Sequence, residues 1–481
     1  MNILRRFSGA ILMFTFCLFL SAQEKKIVIF STNDMHARIN NYGKIAAYIE
    51  NYKQTNPNVL ILSGGDLFSG NPVVDQYKEK GYPIVDLMNR IGYKFTAFGN
   101  HEFDYGQETL KKRIKQAKFK FLCANMQVEK PEGKIKQPKA FAFTKVGGIK
   151  IGIVSVVEAS VKPSGKRHPA CHPDRVKGIN FTDPVETVLQ YKYLRDKCDL
   201  FIFLSHAGVD KDLIVAEQMP ELDAIVGGHT HTKIDSVLIH NGVLVTQTGC
   251  YTEGLGKLTF TFNGKQLVKK DYELIDVKRL KEEDPIIKQE AQAFVDNSPL
   301  KEVLAEAVQQ LDGKEELGGL MCDALVEEYG VDFAVQNSGG VRLGQLKKGP
   351  ISMQDVYALD PFGNQIFIYE MTYQALNDLL KNSYRKASRT ADLKCSGMKY
   401  KIYTHDGIAT RVEITDEQGN PLDPNKKYKV AMNSYISSSY RFDHDGLLEE
   451  TPNSASDALI SYLKKVKQIK KDIHRTEVIE E

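Results

Sequence analysis

Six short apolar runs punctuate the chain between Lys25 and about Lys270: KIVIFST, NVLILSGGD, FTAFGNHE, KIGIVSVVE, LFIFLSHAG and DAIVGGHTH. Runs of Val, Ile, Leu and Phe this short, closed by Gly, Asn or Asp, read as strands buried on both faces. Between them, GKIAAYIENYKQT and DPVETVLQYKYLRDK space their apolar residues as amphipathic helices do. The alternation predicts an α/β domain whose sheet lies under helices. After Val277 the pattern changes. DPIIKQEAQAFVDN reads as a charged amphipathic helix, a connector between domains. Beyond Pro299, helices are predicted in LGGLMCDALVEEYG and TYQALNDLLKNSYR, and strands in DFAVQNSGG, QIFIYEMT, RVEITD and YKVAMNSYI. The predicted layout is therefore a leader at 1–23, a first domain at 24–278, a helical linker at 279–298 and a second, mixed α/β domain at 299–481. The charged end LKKVKQIKKDIHRTEVIEE reads as a solvated helix or terminus.

Length agrees with two domains, because 481 residues exceed one ordinary core. The net charge is only +3. That is too weak a field for a nucleic-acid polymer as partner. The leader MNILRRFSGAILMFTFCLFLSAQ has a basic start, an apolar run from Ala10 to Leu20 and small residues before Gln23. This is the pattern of a cleaved secretory signal, too short in its apolar part for a membrane span. Cys17 lies within that run without small residues just before it, which argues against a lipid anchor. No later segment is long and apolar enough to cross a membrane, so a periplasmic or secreted protein is expected. The six cysteines outside the leader are scattered and form no CxxC pair, so they read as structural or free.

The ends of the strands carry the candidate chemistry. FSTNDMH supplies Asp34 and His36, LSGGD supplies Asp66, and FGNHEFD supplies Asn100, His101 and Asp104. LSHAG supplies His206, and GGHTH supplies His229 and His231. Each piece alone has a plainer reading. DxH is usually a loop, GGD a turn, NHE a helix cap, and a single histidine a satisfied core residue. All five together, each after an apolar strand, point to one site, because ligands in α/β sheets gather beyond the carboxyl ends of strands. Carboxylates, imidazoles and an amide oxygen form a donor set for Zn, Mn, Fe or Co. Asp66 has two carboxylate oxygens and can bridge two such ions. Paired ions about 3.5–4 Å apart clamp the oxygens of an in-line displacement and lower the pKa of a bridging water. His101 follows the ligand Asn100 directly and is best kept off the metal. Oriented by Asp104, it would protonate the leaving oxygen or stabilise charge on the phosphoryl group.

The DxH, GGD, GNHE, SHAG and GHTH series resembles that of the calcineurin-like metallophosphoesterases. With its second domain, the mature chain resembles their secreted 5′-nucleotidase family, which includes UDP-sugar hydrolases and cyclic-nucleotide phosphodiesterases. The resemblance implies a calcineurin-like β-sandwich flanked by helices and two divalent ions. It implies Asp34, His36, Asp66 and His231 around one ion, and Asp66, Asn100, His206 and His229 around the other, with His101 and Asp104 as a catalytic dyad. It also implies that the second domain reads a nucleoside. QNSGGVR would supply Asn337 and Arg342, and DPFGNQI would supply Phe362 as one half of an aromatic clamp on the base. NSYISSSYRFDHDGL offers Tyr435 as the other half, with Tyr440 and Phe442 as alternatives, and Asp445 for the ribose hydroxyls.

Two stretches depart from the family pattern. The clamp segment lacks paired glycines, and DGKEELGGLMCDA has Lys314 and Gly318-Gly319 where arginine and Gly-Asn are usual. The expected reaction is removal of phosphate from nucleoside 5′-monophosphates through a metal-bridging hydroxide. UDP-sugar hydrolysis and 2′,3′-cyclic-nucleotide hydrolysis at the same metal site are the alternatives.

Overall fold

The computed structural model describes residues 24–162, 165–470 and 474–481, so the predicted leader lies outside the described residues. All six apolar runs of the first half are strands. Lys25–Thr32, Val59–Ser63, Phe95–Ala97 and Lys120–Leu122 pair in parallel, and Gly254–Asn263 and Gln266–Asp276 extend this sheet antiparallel. Ile149–Val157, Leu200–His206, Ala224–Val226 and Val243–Thr246 form the parallel centre of a second six-stranded sheet.

The period of two along a strand explains why the runs are apolar throughout. In Lys25–Thr32, Ile27 and Ile29 point into the core shared with the second sheet. Val28 and Phe30 point the other way, into a core completed by Ile45 and Ile49 of helix Tyr42–Thr55. The first domain is thus the expected β-sandwich flanked by helices. Predicted helix DPVETVLQYKYLRDK is shorter than its pattern suggests. It ends at Leu189 and resumes as a 3₁₀ turn over Lys192–Lys197. The connector helix Pro285–Asp296 begins on Asp284, whose carboxylate accepts from the Ile286 and Ile287 amides. Its Ile287 and Ala291 join the core of the first domain.

The second domain is mixed α/β. Its central sheet runs in the order Leu393–Ser396, Phe333–Asn337, Lys427–Asn433, Gln365–Thr372, Leu447–Ser454. Alternation again feeds two cores, with Ala334 on one face and Phe333 and Val335 on the other. The end of the chain differs from expectation. Thr476–Glu480 is a strand, parallel to Met398–His405, with Val478 packed against the core. Its apolar residues are only the adjacent Val478 and Ile479, too few to outweigh the charged run before them. Among the described residues no disulfide joins the cysteines.

Candidate active site at the meeting of the two domains

Because the central strands of each sheet run parallel, Thr32, Ser63, Ala97, His206 and Val226 all end at the same rim. The turns that follow approach closely. A Cβ on Gly64 would lie 2.6 Å from the Gly227 carbonyl, and one on Gly99 would collide with the Asp66 carboxylate, so only glycine fits. Five of the side chains that these turns deliver sit on left-handed backbone: Asp34, His36, Asp66, His229 and His231, with φ between 46° and 81°. Such non-glycine conformations cost roughly 1–3 kcal/mol each and persist where surrounding structure holds them.

The predicted metal-binding residues converge. Asp34, His36 and His231 form one group whose donor atoms lie within 4.8 Å of one another, and Asp34, Asp66 and His206 form a second. A third group joins His101 to His36 and Asp66. His206 donates through Nδ1 to the Gly64 carbonyl at 2.7 Å, and its Nε2 lies 3.2 Å from both Asp66 Oδ2 and Asn100 Oδ1. The Asn100 amide nitrogen donates to the Ala170 carbonyl, which turns Oδ1 inward, 3.0 Å from His229 Nδ1. The His36 Nδ1 donates to the Ser69 carbonyl at 2.9 Å. A carbonyl can only accept, so His36 and His206 each turn a lone pair into the cluster when neutral. Lone pairs and carboxylate oxygens facing one another require a cation between them, and the donor set fits a divalent ion of the Zn, Mn, Fe or Co class.

Charge in the cluster agrees with this. Burial opposes protonation of His206, but the Asp66 carboxylate overrides it and raises the imidazole to about 10. Burial likewise opposes His231, which Asp34 and Cys250 raise to about 10. Burial and the His101 imidazole hold His36 well below its ordinary value. Two protons thus balance buried carboxylates where a metal ion would displace them.

Beside this cluster, His101 Nδ1 donates to Asp104 Oδ2 at 2.7 Å. Burial lowers the His101 pKa, but Asp104 and Asp66 outweigh it and raise it above the ordinary imidazole value. The hydrogen bond leaves Nε2 as the group free to act on a ligand.

A cavity of about 450 Å³ connects this rim to the second domain. Asp66, Asn100, His101, His229 and His231 form one wall, and Asn337, Arg342, Phe362 and Tyr435 form another. Phe362 stacks on His101 with ring centres 6.1 Å apart, and the Arg342 guanidinium lies 5.7 Å from the Phe362 centroid. The structure separates the three aromatic candidates. Asn433 caps the short helix Ser434–Ser439 by accepting from the Ile436 amide, which leaves Tyr435 on the cavity wall and Ile436 in the core. Tyr440 is buried and bonded to Asp392 and Arg385, and Phe442 packs between Tyr369 and His444. Asp445 stands apart, on an exposed turn where its amide bonds Asp443, and it does not line the cavity. Lys314 also lies outside the lining residues, with its ammonium on the Ser338 carbonyl.

Other side chains of the site carry no motif of their own. The buried Glu102 carboxylate accepts from the amides of Asp66, Leu67 and Gly99, tying two of the strand-end turns together. Burial and Asp66 raise it to about 7. Tyr251 lays its ring against His36 and His231. His172 and Arg175 enter the cavity from the irregular segment after Ala170. Glu102 is visible in GNHE, but its backbone partners are not.

Residues 27–233 match the family model described as calcineurin-like phosphoesterase, and residues 298–441 match that of the 5′-nucleotidase C-terminal domain. The chain is 29% identical over 427 residues to a 5′-nucleotidase of Vibrio cholerae, covering 74% of this chain and 75% of that protein. It is 28% identical over 468 residues to the Trifunctional nucleotide phosphoesterase protein YfkN of Bacillus subtilis. That match covers 85% of this chain but spans only 32% of YfkN. Among solved structures, the 5′-nucleotidase precursor from Thermus thermophilus superposes with a TM-score of 0.80 at 26% identity, covering 94% of this chain and 99% of that one.

Proposed function

The chain belongs to the calcineurin-like phosphoesterases that carry a 5′-nucleotidase C-terminal domain, and from that premise we propose that it is a metal-dependent hydrolase releasing phosphate from nucleoside 5′-monophosphates. The observation that carries the reading is the single cavity in which the histidine–carboxylate cluster, the His101–Asp104 pair and the Arg342–Phe362–Tyr435 wall all take part.

In this reading Asp34, His36, Asp66 and His231 hold one ion, and Asp66, Asn100, His206 and His229 hold the other. When bound, the two ions supply Lewis acidity and a nucleophile at neutral pH. The chain's own residues do the rest. Arg342 grips the phosphate through its guanidinium, and Asn337 lies beside it in the same wall. Phe362 and Tyr435 take the base between them, which fixes the ester oxygen near His101. His101, held by Asp104, delivers its Nε2 proton to that oxygen as the P–O bond breaks, so the nucleoside leaves neutral. Asp445 has no role in this arrangement.

The proposed domain limits are 24–278 and 299–481, joined through 279–298. Export through cleavage of 1–23 rests on the leader's composition. No helix among the described residues is long and apolar enough to cross a membrane.

Phosphate release by the chain lacking residues 1–23, with and without Mn²⁺ or Zn²⁺, tests the reading. AMP and other 5′-monophosphates should be cleaved with metal, and a sugar phosphate should not. Cleavage of UDP-glucose or 2′,3′-cyclic AMP alone, revealed when a phosphatase added afterwards releases phosphate from the products, would keep the metal site and overturn the substrate.

A further inference from the structure

Asp75 is completely buried and takes no part in the chemistry proposed above. Burial raises its carboxyl to about 7, against the bonds from Tyr105 and the Gly70 amide, which favour the charged form. A buried acid is costly unless it is bonded, and Asp75 is bonded on both oxygens. The Tyr105 hydroxyl donates to Oδ1, and the Gly70 amide donates to Oδ2 at 2.9 Å. The same Tyr105 hydroxyl accepts from the Ser69 amide at 3.0 Å.

These bonds converge on one peptide group. The peptide joining Ser69 to Gly70 gives its N–H to Asp75, and its carbonyl accepts Nδ1–H of His36 at 2.9 Å. Asp75 and His36 thus stand at opposite ends of a single planar unit. That unit lies close against the ligand: a Cβ on Gly70, whose φ is 136°, would stand 3.1 Å from the His36 Cβ. Ser69 has φ 63°, a left-handed conformation that a non-glycine residue keeps only where its surroundings hold it. Tyr105 and Asp75 hold it from both sides. Asp75 is itself fixed, because its short helix Pro72–Asp75 starts on Asn71, which accepts from the Val73 amide and donates to the Ala37 carbonyl beside His36. The Tyr105 ring packs on Phe68, with centres 5.2 Å apart. His206 shows what the arrangement adds. Its Nδ1 also donates to a peptide carbonyl, that of Gly64, but the N–H of that peptide, on Gly65, ends on the Ser63 hydroxyl at 3.3 Å. Of these two histidines, His36 is the one with a carboxyl behind its peptide.

We propose that Asp75 and Tyr105 are positioning residues for His36: they lock the Ser69–Gly70 peptide so that its carbonyl holds the imidazole with Nε2 turned toward one ion. The inference rests on the ion sets of the reading above. Hydrogen bonds in a chain polarise one another, so the bond from Gly70 to Asp75 strengthens the bond from His36 to the Ser69 carbonyl. Outer partners of a metal-bound histidine fix its ring and raise its basicity in this way. The hydrogen bonds of the Asp75 and Tyr105 side chains reach none of Asp66, Asn100, His206 and His229. Their effect therefore falls on the ion held by Asp34, His36, Asp66 and His231, and not on the other.

The test is a Mn²⁺ titration of the full mature chain, with free Mn²⁺ read by electron paramagnetic resonance, on the wild type, Tyr105→Phe and Asp75→Asn. Tyr105→Phe keeps the ring on Phe68, and Asp75→Asn keeps an oxygen for the Gly70 amide. In each variant one of the two dissociation constants should rise about tenfold or more, the scale of losing an outer partner of a ligand. The other should stay within about twofold. The same substitutions made in His231→Ala, which gives up one side of the affected ion's site, should leave the remaining constant unmoved. Equal rises in both constants would mean a general loosening of the fold and would overturn the proposal. No change in either constant, or a rise that persists in the His231→Ala background, would overturn it too, while leaving the two-ion reading intact. A wild-type chain that binds fewer than two ions would sink that reading, and the inference with it.

Discussion

His36 and His231, 195 residues apart in the chain, face each other Nε2 to Nε2 at 3.1 Å, with Asp34 Oδ1 3.4 Å from the latter. His36 donates its Nδ1–H to the Ser69 carbonyl, so the inward nitrogen of neutral His36 is an acceptor. Either a proton or a metal ion must lie between these rings. His231→Ala removes one side of that arrangement and leaves the Asp66, Asn100, His206 group in place. The expected outcome is loss of one bound ion of two by elemental analysis. Affinity at that position should fall more than the ~10–100-fold typical of losing an outer partner of a ligand. Retention of two tightly bound ions would remove His231 from the ligand set.

His101 separates binding from chemistry. Its imidazole is anchored by Asp104 and flanked by Phe362, and it belongs to none of the proposed ion sets. His101→Ala should lower kcat by about 10²–10⁴, the range of a lost general acid, while elemental analysis still finds both ions. Asp104→Asn should have a smaller effect in the same direction. Full turnover in His101→Ala would take the proton transfer away from this residue.

Much of this arrangement is legible in the sequence, and the reason is physical. A parallel strand buried on both faces must be apolar along its length, so its end is marked wherever the first polar residue follows. FSTNDMH, LSGGD and LSHAG are such ends. The turns need glycine at close approaches such as Gly64 and Gly99, and glycine is easily read. Arg175 has no such marker. It sits on a single 3₁₀ turn whose direction depends on contacts with Glu158 and Asn100, far away in sequence. The choice among Tyr435, Tyr440 and Phe442 is equally closed to pattern. It is decided by a helix cap at Asn433 and by the ion pair of Arg385 with Asp392 that holds Tyr440.

The aromatic wall makes a prediction about binding. Stacking a base on an aromatic side chain contributes about 1–3 kcal/mol. Tyr435→Ala should therefore raise KM for AMP about 5–150-fold. Phe362→Ala should do the same and also lower kcat, because Phe362 lies against both His101 and Arg342. Steady-state kinetics on AMP read both parameters. If Tyr440→Phe or Phe442→Leu raised KM as much as Tyr435→Ala, the assignment of the clamp would be wrong.

Phe362 is itself held by a buried acid. Its amide donates to Asp360 Oδ1 at 3.3 Å, and Ser456 donates to the same side chain and to the Asp360 carbonyl. Burial raises the Asp360 carboxyl to about 6. In the unfolded chain the group titrates near ~3.9. Between these values the folded protein holds a proton that the unfolded chain has lost. The stabilisation linked to this proton is fully present below pH ~4 and disappears as pH rises through about 6, a change on the order of 3 kcal/mol. Asp360→Asn keeps an oxygen for the Phe362 amide and removes the titration. Urea midpoints of the variant, relative to wild type, should therefore rise between pH 4 and pH 7. A constant difference across that range would mean that Asp360 titrates alike in both states, and that the segment carrying Phe362 is held by its uncharged contacts alone.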